Sequence, residues 1–126
     1  MKNEAAQLFE KAFENLTEAN KELYRPEEDV IPYSVCKNSQ LAIMNFLRGY
    51  LYKNGVNPNS FITINQLFEE CKKLNKDFGK IDLSEFNCTN HEIDSRYCHE
   101  VSKINTCFAT ANNLYAFLKE EHEIRD

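Results

Sequence analysis

Tryptophan is absent from the sequence, and glycine and proline occur only three times each. An all-β sandwich turns every few residues, and a flexible linker uses still more breakers, so both architectures are disfavoured. No apolar run approaches the ~20 residues that span a bilayer, and no membrane association is expected. The N-terminal stretch MKNEAAQLFEKAF carries acids where a signal peptide has its apolar core, which argues against export. There is no G-x-S-x-G nucleophile elbow and no glycine-rich phosphate loop. Histidine is scarce: His91, His99 and His122 are the whole supply of imidazole bases. What remains is an ordinary globular mix, 42% hydrophobic and 28% charged. At 126 residues it predicts one cytoplasmic domain, spanning residues 1–126, with one core.

The net charge is −5, so the surface repels phosphate backbones on average. Lys72, Lys73, Lys76 and Lys80 form the nearest thing to a basic patch, but Glu69, Glu70 and Asp77 sit among them, as on a solvated helix face. The five cysteines are odd in number and irregular in spacing, which disfavours a disulfide framework. Cys71 and Cys107 fall on apolar stripes, where a thiol acts as a small hydrophobe. Cys88, His91, Cys98 and His99 are all zinc-ligand types. Their spacing fits no recognised zinc pattern, so neither a metal nor another cofactor is expected.

Apolar residues recur at spacings of three and four in four segments, the period of amphipathic helices. Leu8, Phe9, Ala12, Phe13, Leu16, Ala19 and Leu23 mark a first helix over residues 3–24, closed by Pro26. An acidic connection, residues 27–31, leads to Pro32, which suits a first helical position. The second helix runs to about residue 54, with Gly55 as its C-terminal cap. Val35, Leu41, Ala42, Ile43, Met44, Phe46, Leu47, Tyr50 and Leu51 cover more than one of its faces, so it is expected to pack centrally. Residues 57–59 read as a turn. Thr63 and Gln66 form a capping box. Ile64, Leu67, Phe68, Cys71 and Leu74 give the third stripe. Residues 77–80 read as a break and residues 81–86 as one short turn of helix. Val101, Ile104, Cys107, Phe108, Ala111, Leu114, Tyr115 and Leu118 define the last helix, which could extend backwards to a second capping box at Thr89 and Glu92. The expected fold is all-α: an up-and-down antiparallel four-helix bundle with an additional short helix.

The segment YSVCKNSQLAIMNFLRGYLYKNG, residues 33–55, resembles the central helix of HEPN domains (higher eukaryotes and prokaryotes nucleotide-binding). The spacing of Ile64, Leu67 and Phe68 is similar to the family's next helix, and Asp94-Ser95-Arg96-Tyr97 to its Arg-Tyr motif ahead of the final helix. Two positions depart from the family pattern: Met44 stands where a glutamate is frequent, and Thr63 where a histidine is frequent. Members that cut RNA carry an arginine, four to six residues, then a histidine. Here Arg96 and His99 are separated by two residues, so ribonuclease activity is not carried over.

The resemblance implies a helical bundle, a homodimer, and in bacteria frequent pairing with a nucleotidyltransferase. The expected role is non-catalytic: binding to itself, to such a partner, or to a nucleotide. Arg96 and Tyr97 would supply a guanidinium fork for a phosphate and an aromatic face for a base, with Arg48 a further ligand candidate. Bland roles stand beside these. Arg96 and Tyr97 would staple the loop before the last helix, and Arg48 would lay its stem over apolar surface. The alternatives are a degenerate ribonuclease toxin using Arg96 and His99, and a plain helical interaction module. A homodimer is also expected because the central helix offers more apolar surface than three neighbours of this size readily cover.

Overall fold

The computed structural model of the chain describes residues 2–25, 32–61, 63–81 and 101–121. Four α-helices account for most of them: α1 (Lys2–Leu23), α2 (Pro32–Lys53), α3 (Ile64–Leu74) and α4 (Val101–Glu120). Two 3₁₀ helices, Pro58–Ser60 and Lys76–Lys80, flank α3. There is no strand among the described residues, and the fold is an all-α bundle.

The punctuation follows from local chemistry. Gly55 adopts φ +80°, a left-handed conformation that costs glycine little, and so turns the chain out of α2. The Thr63 hydroxyl accepts from the Gln66 backbone N–H at 3.1 Å, and the Gln66 side chain accepts from the Thr63 N–H at 3.2 Å. This reciprocal box satisfies two of the donors that every helix start leaves orphaned.

α2 is the centre of the molecule. α1 packs along most of its length, α4 and α3 take other sides, and α1 and α4 meet each other only briefly. Val35, Cys36, Ala42, Ile43, Phe46, Leu47 and Leu51 are all buried, as are Met44 and Tyr50. Each fully buried aliphatic or aromatic side chain contributes about 1.5–3 kcal/mol. The apolar excess of α2 is therefore largely covered within one chain. Among the described residues, the apolar side chains of α2 are mostly buried against α1, α3 and α4.

α1 and α2 run antiparallel. The Asn45 amide donates to the Asn15 side-chain oxygen at 3.0 Å. Further along, Gly49 lies so close to Phe9 that an added Cβ would sit 2.7 Å from the ring. On α1, Ala5, Ala12, Leu16 and Ala19 are buried, so small residues let the two helices approach.

Three expectations need correction. Residues 77–80 are not a break but part of the 3₁₀ helix Lys76–Lys80. Asn75 caps it by accepting from the Asp77 N–H at 3.0 Å, and burial of Phe78 overrides the freedom of Gly79. The Phe78 ring lies 4.8 Å from Tyr50, 4.9 Å from Phe117 and 6.3 Å from Phe68. Leu74, placed on the apolar stripe, is 45% exposed at the last turn of α3. Phe13, also placed on a stripe, is 49% exposed and leans on Tyr115 of α4 at 5.5 Å. The short turn expected at residues 81–86 falls almost wholly outside the described residues. So does the backward extension of α4.

Candidate functional site

Arg96, Tyr97 and His99 lie outside the described residues, as do Cys88, His91 and Cys98. Among the described residues no three His, Cys, Asp or Glu side chains gather as they would around a metal ion. Arg48 is the one candidate the structure places.

Arg48 sits in the third quarter of α2, half-buried. Its Nε is shut off from solvent and has no hydrogen-bond partner. A long stem laid over apolar surface accounts for the partial burial. It does not account for a buried donor with nothing to donate to, which costs about 1–3 kcal/mol. Arg48 also has no ion-pair partner among the described residues.

The surroundings follow from helical spacing. Ser34, Lys37, Leu41, Asn45, Arg48 and Tyr52 follow one another at intervals of three and four, and every one is half-buried. They form the side of α2 that its neighbours only partly cover. Asn45 is fixed at the edge of this strip by its hydrogen bond to Asn15 of α1. Counted from that bond and from the contact of Phe9 with Gly49, the antiparallel register puts Arg48 on α2 about level with Lys11 on α1. One turn further, Tyr52 comes level with Leu8. Lys11 is exposed and likewise has no ion-pair partner among the described residues.

The electrostatics of this seam differ from those of the whole chain. Residues 30–68 contain Lys37, Arg48 and Lys53 and no aspartate or glutamate. The acids nearest in sequence or packing are already engaged or stand apart. Glu18 pairs with Lys21 at 3.6 Å and Glu22 with Arg25 at 3.4 Å. On α3, whose Cys71 thiol lies 3.6 Å from the Leu47 carbonyl, Glu70 is bonded by Lys73 at 2.6 Å. That hydrogen bond and the Glu70 charge raise the Lys73 pKa. Glu14, one turn from Lys11, forms no ion pair with it. The seam therefore gathers groups of the types that anions use: a guanidinium, an ammonium, amide donors and an aromatic ring. Among the described residues it offers no base or nucleophile beside them.

Two further buried polar groups belong to α2. Ser39 Oγ and Gln40 Oε1 have no hydrogen-bond partner, although Gln40 Nε2 donates to Cys36 Sγ at 3.0 Å. Burial pushes the Cys71 thiol pKa up, with the Glu70 charge adding to it, so Cys71 is inert rather than nucleophilic.

Sequence reading found Arg48 but missed Lys11 and Tyr52. The acid-free run over residues 30–68 was a readable signal for Tyr52 and its strip. Lys11 had none, because its place depends on the pairing of α1 with α2.

Neither a curated protein nor a solved structure matches the chain significantly. A family model for the HEPN domain matches residues 5–122, nearly the whole chain. The central helix, the long closing helix and this match agree: the chain belongs to the HEPN domain family.

Proposed function

We propose that this chain is a non-catalytic, cytoplasmic HEPN domain that acts by binding. Its ligand is a nucleotide, and its protein partners are a second copy of itself and a nucleotidyltransferase. The partners follow from family membership alone. The nucleotide rests on one observation: Arg48 holds a buried Nε without an acceptor, on a half-buried strip of a helix that carries no acid. Such a group is costly to keep unless something accepts from it, and a phosphate oxygen is a suitable acceptor. Tyr52, one turn away on the same side of α2, offers a base a face to stack on. This gives Arg48 and Tyr52 the pair of chemical types that the sequence also offers at Arg96 and Tyr97. Among the described residues no helix is long and apolar enough to cross a membrane.

The test is calorimetric titration of adenosine and guanosine nucleotides into wild type, Arg48→Ala and Arg96→Ala at matched stability. Binding that weakens at least tenfold in Arg48→Ala is expected. Loss confined to Arg96→Ala moves the site to the segment before α4. RNA cleavage by wild type that disappears in His99→Ala overturns the non-catalytic assignment in favour of the degenerate toxin. Sedimentation of the purified protein with and without the candidate nucleotidyltransferase tests both protein partners.

A further inference from the structure

We infer that the seam between α1 and α2 is a two-helix site for a phosphoryl group, completed by Lys11 and not by α2 alone. This builds on the assignment of Arg48 as a binding residue. It adds a second helix, a second cation and a ligand class that does not require a nucleoside.

The register carries the assignment. Asn15 and Asn45 are joined at 3.0 Å, and Phe9 abuts Gly49 four residues further along α2. Between those two fixed points, Lys11 and Arg48 fall on neighbouring turns and on the same side of the seam as the asparagine pair. Both cations lack an ion-pair partner among the described residues, and the guanidinium has a buried N–H with no acceptor. The asparagine bond uses a single N–H, so amide donors remain beside the two charges.

The geometry favours phosphate over carboxylate. A carboxylate has two coplanar oxygens, which one guanidinium fork can satisfy. A phosphoryl group presents three outer oxygens in a tetrahedral arrangement, and donors approaching from two helices suit that shape. Lys11 is exposed and Arg48 is half-buried.

The arginine side-chain Nε–H resonance gives a direct readout. Inorganic phosphate is titrated into nitrogen-15-labelled protein, with chloride and acetate at matched ionic strength as controls. The Arg48 Nε–H signal is expected to shift with phosphate and saturate, while acetate binds more weakly and chloride only screens. Lys11→Gln should weaken phosphate binding by up to about fivefold, the worth of one exposed charge-assisted contact, and Lys11→Arg should restore it. Lys11 is exposed, so these variants should fold. A resonance unmoved by phosphate, an equal response to acetate, or Lys11→Gln behaving as wild type would each overturn the site. Phosphate binding with no tighter binding of nucleotides retains this site and removes the nucleotide. Nucleotide binding that leaves the Arg48 signal and Lys11→Gln unaffected does the reverse.

Discussion

At Gly49 a hydrogen atom decides how closely two helices approach. Alanine has about 1 kcal/mol more helix propensity than glycine, but an added methyl group here would press into the Phe9 ring at 2.7 Å. Overpacking costs about 1–3 kcal/mol. Gly49→Ala should therefore destabilise the protein by about 1 kcal/mol in wild type and stabilise it in a Phe9→Ala background, where the clashing ring atoms are gone. Urea denaturation of the four-member cycle reads both signs.

Cys71 makes a second prediction at this scale. Burial, with the Glu70 charge adding to it, raises its pKa in the folded state above the ordinary thiol value, so the folded form keeps its proton where the unfolded chain loses it. This thiol leaves stability untouched below the unfolded pKa. Stability then falls as pH rises past about 9, by up to ~1.4 kcal/mol per pH unit from this group. A Cys71→Ala variant should show a flatter decline in denaturation followed across the alkaline range. Ser39 is simpler: its Oγ is buried and unbonded, so Ser39→Ala should be neutral or mildly stabilising.

Helices carry their own punctuation, and that is why they were legible in the sequence. Pro32, Gly55 and the Thr63–Gln66 box act within a few residues of themselves, so a reader of the sequence meets the whole cause at one place. Thr63→Ala removes one member of the box and should cost about 1 kcal/mol, measurable as a lowered denaturation midpoint. Phe78 is the opposite case. Its neighbours Tyr50, Phe68 and Phe117 come from three different helices, so nothing near it in sequence says that it is buried. Gly79 beside it points the other way, and the segment reads as a break. Phe78→Ala should cost about 3–5 kcal/mol, far more than an equivalent change at exposed Phe13. Exposure of Leu74 has the same origin: helical period puts it on the stripe, but the stripe outlasts the neighbour that covers it.

The whole molecule is acidic, and its longest acid-free stretch, residues 30–68, includes its central helix. Burial of α2 on most sides concentrates Lys37 and Arg48 onto the strip that remains partly open. Composition shows the charge imbalance, but only the packing of α1, α3 and α4 shows which side of α2 is left. The candidate site was half legible for that reason: Arg48 could be nominated from residues 33–55, whereas Lys11 required the pairing of two helices. The central place of α2 also orders the molecule's local stability. Its amide protons should exchange with solvent most slowly, and the first turn of α1 and the end of α3 should exchange fastest.

The cluster around Phe78 also sets how the folded state can be watched. With no tryptophan in the chain, the usual fluorescence handle is missing. Tyr50 sits edge-on to Phe78 at 4.8 Å with an interplanar angle of 72°, and both are fixed in asymmetric surroundings. That arrangement gives tyrosine a near-ultraviolet dichroism band of its own and shifts the resonances of protons above the rings. The Tyr50 share of both signals should fall if Phe78 leaves its place, while Tyr115, packed on Phe46, keeps its own. The ring cluster is thus an optical gauge of tertiary closure, separate from the far-ultraviolet signal that counts helix.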